Sequence, residues 1–182
     1  MRQDTPICKN FQKFMRNDLN KTELFKMISQ AVVMLPQSSV TVFATIGDGV
    51  VTNAAIDTSN LEICNHEEAD TRVLLHVLDG SKSGIKKISI VTVDTDVVII
   101  AIRHFLALNL EELWIEFGVG KSKRFIPIHQ YAEQLGPTLC KSLTLWFAVT
   151  GCDTVSMFNG KGKKTAWKVL RLFEDGIDTF AK

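Results

Sequence analysis

The sequence has few cysteines, no long hydrophobic run and almost no net charge, and each of these absences excludes a class of protein. The cysteines show no C-x-x-C spacing and follow no signal peptide, which predicts reduced thiols in an intracellular protein and argues against a zinc site. The longest apolar runs, such as Val97 to Ile102, fall far short of the roughly 20 residues that a membrane helix needs. The formal charge of +1 indicates no preference for polyanions by itself. The cysteines are Cys8, Cys64, Cys140 and Cys152.

The N-terminal region predicts a helix and a hairpin. Asn20 and Glu23 resemble a capping box, which opens a helix extending to about residue 34. Alternating β-branched residues on either side of Gly47-Asp48-Gly49 then predict two antiparallel strands. These strands are expected over 40–44 and 50–56.

The central region predicts helices alternating with strands, which is typical of parallel β/α construction. From His66 a helical pattern places Asp70 on the same face as Val73 and Val77, and Gly84 ends it. An apolar β-rich run over 88–93 then precedes another helix over 97–106. Further strands are expected over 113–117 and 124–128, and further helices over 130–135, 139–149 and 165–173, the last with Ala166, Val169, Leu170 and Phe173 inward.

Asp94 and Asp96 stand at the carboxyl end of an apolar strand, where ligands bind in open α/β sheets. Their spacing turns both side chains to the same side if the extended backbone continues. An aspartate after a strand also commonly caps the following helix. Because one cap needs only one acid, the pair favours a site for a hard divalent cation, which takes oxygen ligands.

Two other acidic segments have sufficient structural explanations when each is taken alone. Glu68-Ala69-Asp70 falls in a first helical turn, where acids are stabilised by the helix dipole and Glu68 can pair with Arg72. Helical spacing by itself pairs Glu67 with Asp70, so geometry leaves open which glutamate joins the aspartate. Asp153, in Gly151-Cys152-Asp153, fits a C-terminal turn followed by a cap.

A basic turn follows at Gly160-Lys161-Gly162-Lys163-Lys164-Thr165-Ala166. Its glycines let backbone N–H groups approach phosphate oxygens, its lysines supply charge, and a helix N-terminus follows. Residues 160–171 contain no acid. Solvated basic turns are common, so this segment taken alone fits a solvated turn and contact with a phosphate backbone about equally well.

Together these segments resemble the flap endonuclease and XPG-like nucleases, which have the PIN-like fold. Glu68-Ala69-Asp70 is similar to the family's Glu-Ala-Glu/Asp motif, Asp94-Thr95-Asp96 to its Asp-x-Asp at a strand end, and Gly151-Cys152-Asp153 to its Gly-Cys/Ser-Asp. The basic turn is similar to the Gly-Ile-Gly-Pro-Lys-x-Ala turn of the family's helix-hairpin-helix region. The resemblance covers about residues 64–174 and selects Glu68 over Glu67.

The resemblance implies an α/β, three-layer PIN-like fold with a mostly parallel central sheet, followed by a helix-hairpin-helix-type region. It implies hydrolysis of phosphodiester bonds by an activated water, with no protein nucleophile and no small-molecule cofactor. The implied ligands of two Mg2+ or Mn2+ ions are Glu68, Asp70, Asp94, Asp96 and Asp153. The implied partner is nucleic acid, as duplex or branched DNA, which suggests the nucleus and no membrane. Its backbone would be bound without sequence reading by Gly160, Lys161, Gly162, Lys163, Lys164 and Thr165.

The expected regions are an N-terminal segment and helix at 1–38, a nuclease core at 39–150 and the helix-hairpin-helix-type region at 151–182. The family carries another metal-binding Asp at the end of its first strand, and this sequence shows no such strand before residue 40. Asp48, in a hairpin turn, is a poor substitute. We therefore expect either a C-terminal portion of a longer nuclease or a degenerate module that binds nucleic acid or protein without cleavage.

Two other motifs predict less. Asp94-Thr95-Asp96-Val97-Val98 matches the signature of haloacid-dehalogenase-like phosphatases, whose first Asp is phosphorylated, but that signature normally opens its domain and the expected closing acid is missing. Gly118-Val119-Gly120-Lys121-Ser122 is not a P-loop, because Ile115 occupies the position of the first glycine and a strand follows. It predicts a hairpin turn. The scattered histidines, His66, His76, His104 and His129, predict packing or surface roles.

Overall fold

A computed structural model describes residues 9–35, 40–62, 69–151 and 162–172. The described chain is mixed α/β, which confirms the expected class. It divides into two compact units, Met1–Glu67 and Glu68–Lys182. No helix in the described ranges is both long enough and apolar enough to span a membrane.

The first unit begins with helices whose caps differ from the sequence expectation. The Asn17 side chain accepts a hydrogen bond from the Leu19 N–H at 3.0 Å, so Asn17 caps the main helix. Asn20, predicted as that cap, lies inside the helix and donates to the Phe14 carbonyl at 3.0 Å. The prediction was wrong because an equally good cap stands three residues earlier. The elements are α1 (Phe11–Phe14), α2 (Asp18–Met34), β1 (Phe43–Ile46), β2 (Gly49–Thr52) and α3 (Ser59–Glu62).

Strands β1 and β2 form the predicted antiparallel hairpin. Ile46 pairs with Gly49, and Gly47 in the turn between them has φ 58°, a conformation that favours glycine. The strands are shorter than predicted. Beyond them the Asn53 N–H donates to the Val42 carbonyl at 3.3 Å. The Asn53 side chain accepts from the Val42 N–H at 2.8 Å and donates to the Val40 carbonyl at 2.9 Å, so backbone and side-chain bonds together extend the pairing.

The second unit contains a three-stranded sheet in the order β3-β4-β5. Strands β3 and β4 are parallel, as the strand-helix-strand pattern predicted, whereas β4 and β5 are antiparallel. Because only one of these two pairings is parallel, the described strands form a mixed sheet, and a mostly parallel sheet is not shown. The elements are α4 (Ala69–Lys82), β3 (Lys87–Thr92), α5 (Thr95–His104), β4 (Glu112–Phe117), β5 (Arg124–Pro127), α6 (Ile128–Val149) and α7 (Lys163–Leu172).

The core of this unit lies on one face of the sheet. Residues alternate along each strand, so Ile90, Leu113 and Ile115 are buried while Ser89 and Val91 on the other face are exposed. Helices α4, α5 and α6 contribute apolar side chains to the same cluster. These helical members include Val77, Val97, Ala101, Ile102, Ile128, Ala132, Cys140 and Leu143.

Helix α6 is broken at the position the sequence predicted. Gly136 has φ 73° and ψ 168°, and Pro137 follows it, so two helical segments meet there. Helix α7 packs on the second segment through Trp146 and Trp167, whose rings meet edge to face at 5.2 Å. Val169, predicted to face inward, is 47% exposed because Trp167 takes the packing position. Phe173 lies outside the described residues.

Candidate metal centre

The turn between β3 and α5 is held by hydrogen bonds of Thr92 and Asp94. The Asp94 N–H donates to the Thr92 hydroxyl at 3.0 Å, and the Asp96 N–H donates to Oδ1 of Asp94 at 2.9 Å. Asp94 is therefore the N-cap of α5, and Asp96 lies in its first turn, where the helix dipole favours negative charge. Both aspartates therefore stabilise the start of α5, where the chain passes from strand to helix.

Three carboxylates nevertheless converge at this point. Ligand oxygens of Asp70, Asp94 and Asp96 lie within 4.8 Å of one another, and all three residues are half-buried. Asp70 comes from the first turn of α4, so the cluster joins two helix N-termini. Carboxylates this close repel one another in a partly desolvated place, and a divalent cation with oxygen ligands offsets that repulsion.

The cap does not use all of the oxygen atoms of Asp94. Its Oδ1 accepts the Asp96 N–H, and Oδ2 makes no hydrogen bond with the described residues. Capping and cation binding are therefore compatible in one side chain. The competing interpretations of the Asp94 and Asp96 pair, as a cap or as ligands, are thus both accommodated by this geometry.

The described residues contain three of the five predicted metal ligands and bring those three together. Glu68 and Asp153 lie outside the described residues, as does Glu67, the alternative to Glu68. Asp48 is exposed in the hairpin turn of the first unit, as expected. The donor set of three carboxylates fits a hard cation such as Mg2+ and does not fit a zinc site built from thiolates.

The predicted nucleic-acid residues are partly described, at the start of α7. Lys164 and Thr165 are exposed, and the Gly162 carbonyl accepts hydrogen bonds from the Thr165 and Ala166 N–H groups. Lys163 is largely exposed to solvent, and its Nζ lies 3.5 Å from the centre of the Phe147 ring. Its charge thus takes part in a cation–π contact that ties α7 to α6. Gly160 and Lys161 lie outside the described residues.

The turn over 118–123 is the predicted hairpin turn. Its position beside the acidic cluster was not predicted from the sequence. It connects β4 to β5, and the Gly118 N–H donates to the Thr92 carbonyl at 3.1 Å. Because β3 and β4 are parallel, their carboxyl ends share one edge of the sheet. The turn therefore lies at the edge that carries Asp94 and Asp96, a relationship that parallel pairing alone could have revealed.

The described histidines have the predicted packing or surface roles: His76 and His129 are half-buried and His104 is exposed, while His66 lies outside the described residues. His129 contacts the Leu113 carbonyl through Nδ1 at 3.1 Å, and its ring meets Trp114 edge to face. On α4, burial lowers the pKa of His76, and the neighbouring Arg72 charge lowers it further, while Asp79 opposes both. Both effects favour the neutral form of the His76 imidazole.

Burial also controls the one described cysteine. Cys140 is fully buried and free, and burial raises the pKa of its thiol. The raised pKa favours the protonated, less reactive thiol, while the reduced state of the cysteines stays a prediction.

Comparison of the chain with protein families, with curated proteins and with solved structures gives no match.

Proposed function

We propose that this chain is a divalent-metal-dependent nuclease domain that hydrolyses phosphodiester bonds in nucleic acid. The observation that supports the proposal is the convergence of Asp70, Asp94 and Asp96 within 4.8 Å. The proposal includes a PIN-like arrangement of the core, Glu68 and Asp153 as further ligands, and duplex or branched DNA as the substrate. A role on DNA would also place the protein in the nucleus.

The chain's own residues have distinct tasks in this proposal. The helix cap fixes the Asp94 carboxylate relative to the backbone of Asp96, so the Asp94 oxygens are oriented before any cation binds. Thr92 holds the backbone of the turn, and Asp70 approaches from α4. Mg2+ or Mn2+, when bound, supplies an activated water and stabilises the charge of the leaving oxygen.

A second candidate function is a module that binds nucleic acid or protein without cutting. The observation that favours it lies in the first unit, where the described residues before residue 40 form α1 and α2. The nuclease family has a strand ending in a metal-binding Asp early in its chain. A site without that acid would hold cations less strongly, because fewer carboxylates compensate their charge.

A cleavage assay tests the proposal. The substrates are flapped, branched and plain duplex DNA with Mg2+ or Mn2+, and the proteins are wild type, Asp96→Asn and Glu133→Gln. Asp96→Asn keeps the size of the side chain and removes one ligand charge, whereas Glu133 is an exposed acid of α6 and serves as the matched control.

We expect cleavage by wild type and Glu133→Gln and a loss of at least about 100-fold in Asp96→Asn, the scale at which removing a charge-stabilising group acts in other enzymes. Equal rates in all three proteins would contradict the metal assignment. DNA binding without cutting by wild type would favour the non-cleaving module. A parallel assay with a small phosphomonoester covers the phosphatase alternative, which phosphate release together with intact DNA would favour.

A further inference from the structure

The turn over 118–123 is placed beside the acidic cluster by strand pairing. Thr92, the last residue of β3, pairs with Phe117, the last residue of β4, and adjacent strands lie about 4.8 Å apart. The Asp94 N–H bonds to the Thr92 hydroxyl, and the Gly118 N–H bonds to the Thr92 carbonyl. One residue therefore fixes both the start of the acidic turn and the start of the 118–123 turn.

The shape of this turn is set by its own contacts. Gly118 has φ 94°, and a Cβ there would meet the Ser122 carbonyl oxygen at 3.0 Å, so the chain folds closely back on itself. The Val119 carbonyl accepts both the Ser122 N–H at 3.1 Å and the Ser122 hydroxyl at 2.8 Å. The turn is thus a defined structure whose side chains project from a fixed backbone.

The cations of this region differ in what they contact. Lys123 forms an ion pair with Glu116, and the Arg124 guanidinium lies over the Phe117 ring at 5.1 Å from its centre. Lys121 is exposed and forms no ion pair or hydrogen bond with its side chain in the part of the chain that the structure describes. Its charge is the one in this turn that is available to a ligand.

We infer that Lys121 binds a backbone phosphate of the nucleic acid next to the phosphate on which the Asp70, Asp94 and Asp96 cluster acts. This inference rests on the proposed function. A strand crossing the carboxyl edge of the sheet brings its negative charge towards three carboxylates, and a cation at the same edge is the complementary group. As a point charge on a phosphate, Lys121 positions the strand and reads no sequence.

The experiment compares binding of a fluorescent single-stranded oligonucleotide by wild type, Lys121→Ala, Lys121→Arg and Lys82→Ala. The affinity is measured over a series of salt concentrations, with Ca2+ in place of Mg2+ to occupy the acids with another hard cation. Lys82 is the matched control because it is exposed at the last residue of α4, about 18 Å along the helix axis from Asp70.

We expect Lys121→Ala to weaken binding and to reduce the slope of log affinity against log salt by about 0.7, the value for one lost phosphate contact on a single strand. Lys121→Arg retains the charge and should keep the slope, and Lys82→Ala should bind as wild type does. Affinity and slope of Lys121→Ala equal to those of Lys82→Ala would overturn the inference.

The outcomes separate this inference from the proposed function. If the wild type binds nucleic acid but does not cut it, the proposed nuclease activity is contradicted. The affinity of Lys121→Ala then still shows whether Lys121 contacts a phosphate. A wild type that cuts, with Lys121→Ala binding normally, removes only the phosphate contact. A wild type that binds no oligonucleotide overturns the phosphate contact, and the cleavage assay on duplex and branched DNA then decides the nuclease activity.

Discussion

The Asp94 carboxylate accepts the backbone N–H of Asp96 at 2.9 Å, so one member of the acidic cluster caps the helix that presents another. The stability of α5 and the geometry of the acidic cluster therefore both depend on the side chain of Asp94. This coupling means that a simple alanine substitution would mix two effects, and it guides the choice of variants.

Asp94→Asn and Asp94→Ala should separate capping from cation binding. Asparagine caps a helix about as well as aspartate, so Asp94→Asn should unfold in urea with nearly wild-type stability, whereas Asp94→Ala should lose about 1 kcal/mol. Both should bind Mn2+ more weakly by calorimetric titration, because each removes a ligand charge. Equal destabilisation in the two variants would argue against the cap, and wild-type Mn2+ affinity in Asp94→Asn would argue against the ligand.

Thr92→Val tests whether the threonine hydroxyl holds the acidic turn. Valine has a similar shape but leaves the Asp94 N–H without the acceptor seen at 3.0 Å, so the free energy of unfolding should fall by about 1 kcal/mol. Thr92→Ser keeps the hydroxyl and should recover most of that loss in the same denaturation experiment. The hydrogen bond is unimportant if serine and valine variants unfold alike.

Gly118→Ala should be more destabilising than Gly84→Ala. Both glycines have positive φ, at 94° and 91°, so alanine costs roughly 1–2 kcal/mol of backbone strain at either position. Only at Gly118 would the new Cβ also meet a backbone oxygen, at 3.0 Å, whereas nothing lies within 4 Å at Gly84. Chemical denaturation of the two variants measures the difference, and equal losses would show that the close contact in the turn is readily relieved.

His76 should make the protein less stable as the pH falls. The pKa of His76 in the folded protein is lowered below its ordinary value of 6.5, chiefly by burial and then by the charge of Arg72. The unfolded chain therefore binds more protons below about pH 6.5, so the contribution of this residue is full above that pH and is lost as the pH falls towards the folded pKa. Melting temperatures of wild type and His76→Gln between about pH 5 and 8 should show a flatter acid side for the variant. Identical pH profiles would mean that other groups control acid unfolding.

Local patterns predicted much of the fold of the second unit. The apolar run before Asp94 is strand β3, and the following helix is α5. The predicted helices over 130–135 and 139–149 are the two segments of α6, which meet at Gly136-Pro137. These features depend on residues close together in sequence, through periodicity, capping and backbone restriction. The antiparallel return of β5 agrees with the predicted hairpin turn over 118–122. The order of the strands in the sheet was not predicted, because alternation along a strand does not reveal which neighbour it pairs with.

The candidate site could be predicted only in part, because some of its contacts join residues that are far apart in the sequence. The relation of Asp94 to Asp96 follows from local spacing, but the approach of Asp70 depends on how α4 packs, which no short pattern encodes. Asn17 replaced Asn20 as the cap of α2 because several nearby residues can cap equally well. Lys163 was predicted only as a nucleic-acid-binding residue. Its contact with the Phe147 ring was not predicted, because it depends on the packing of α7.

The parallel pairing of β3 with β4 also bears on the order of folding. Lys87 and its partner Glu112 are 25 residues apart, and β5 returns directly beside β4, so the sheet closes only short loops. Loops of this length cost less closure entropy than the pairing of segments from distant parts of the chain. We expect β3 to β5 to form early, together with the Asp94 cap, and Asp70 to arrive when α4 docks. The three carboxylates then come together only after the sheet has formed, so their mutual repulsion arises late in folding. A bound cation would therefore slow the rate of unfolding and leave the rate of folding nearly unchanged.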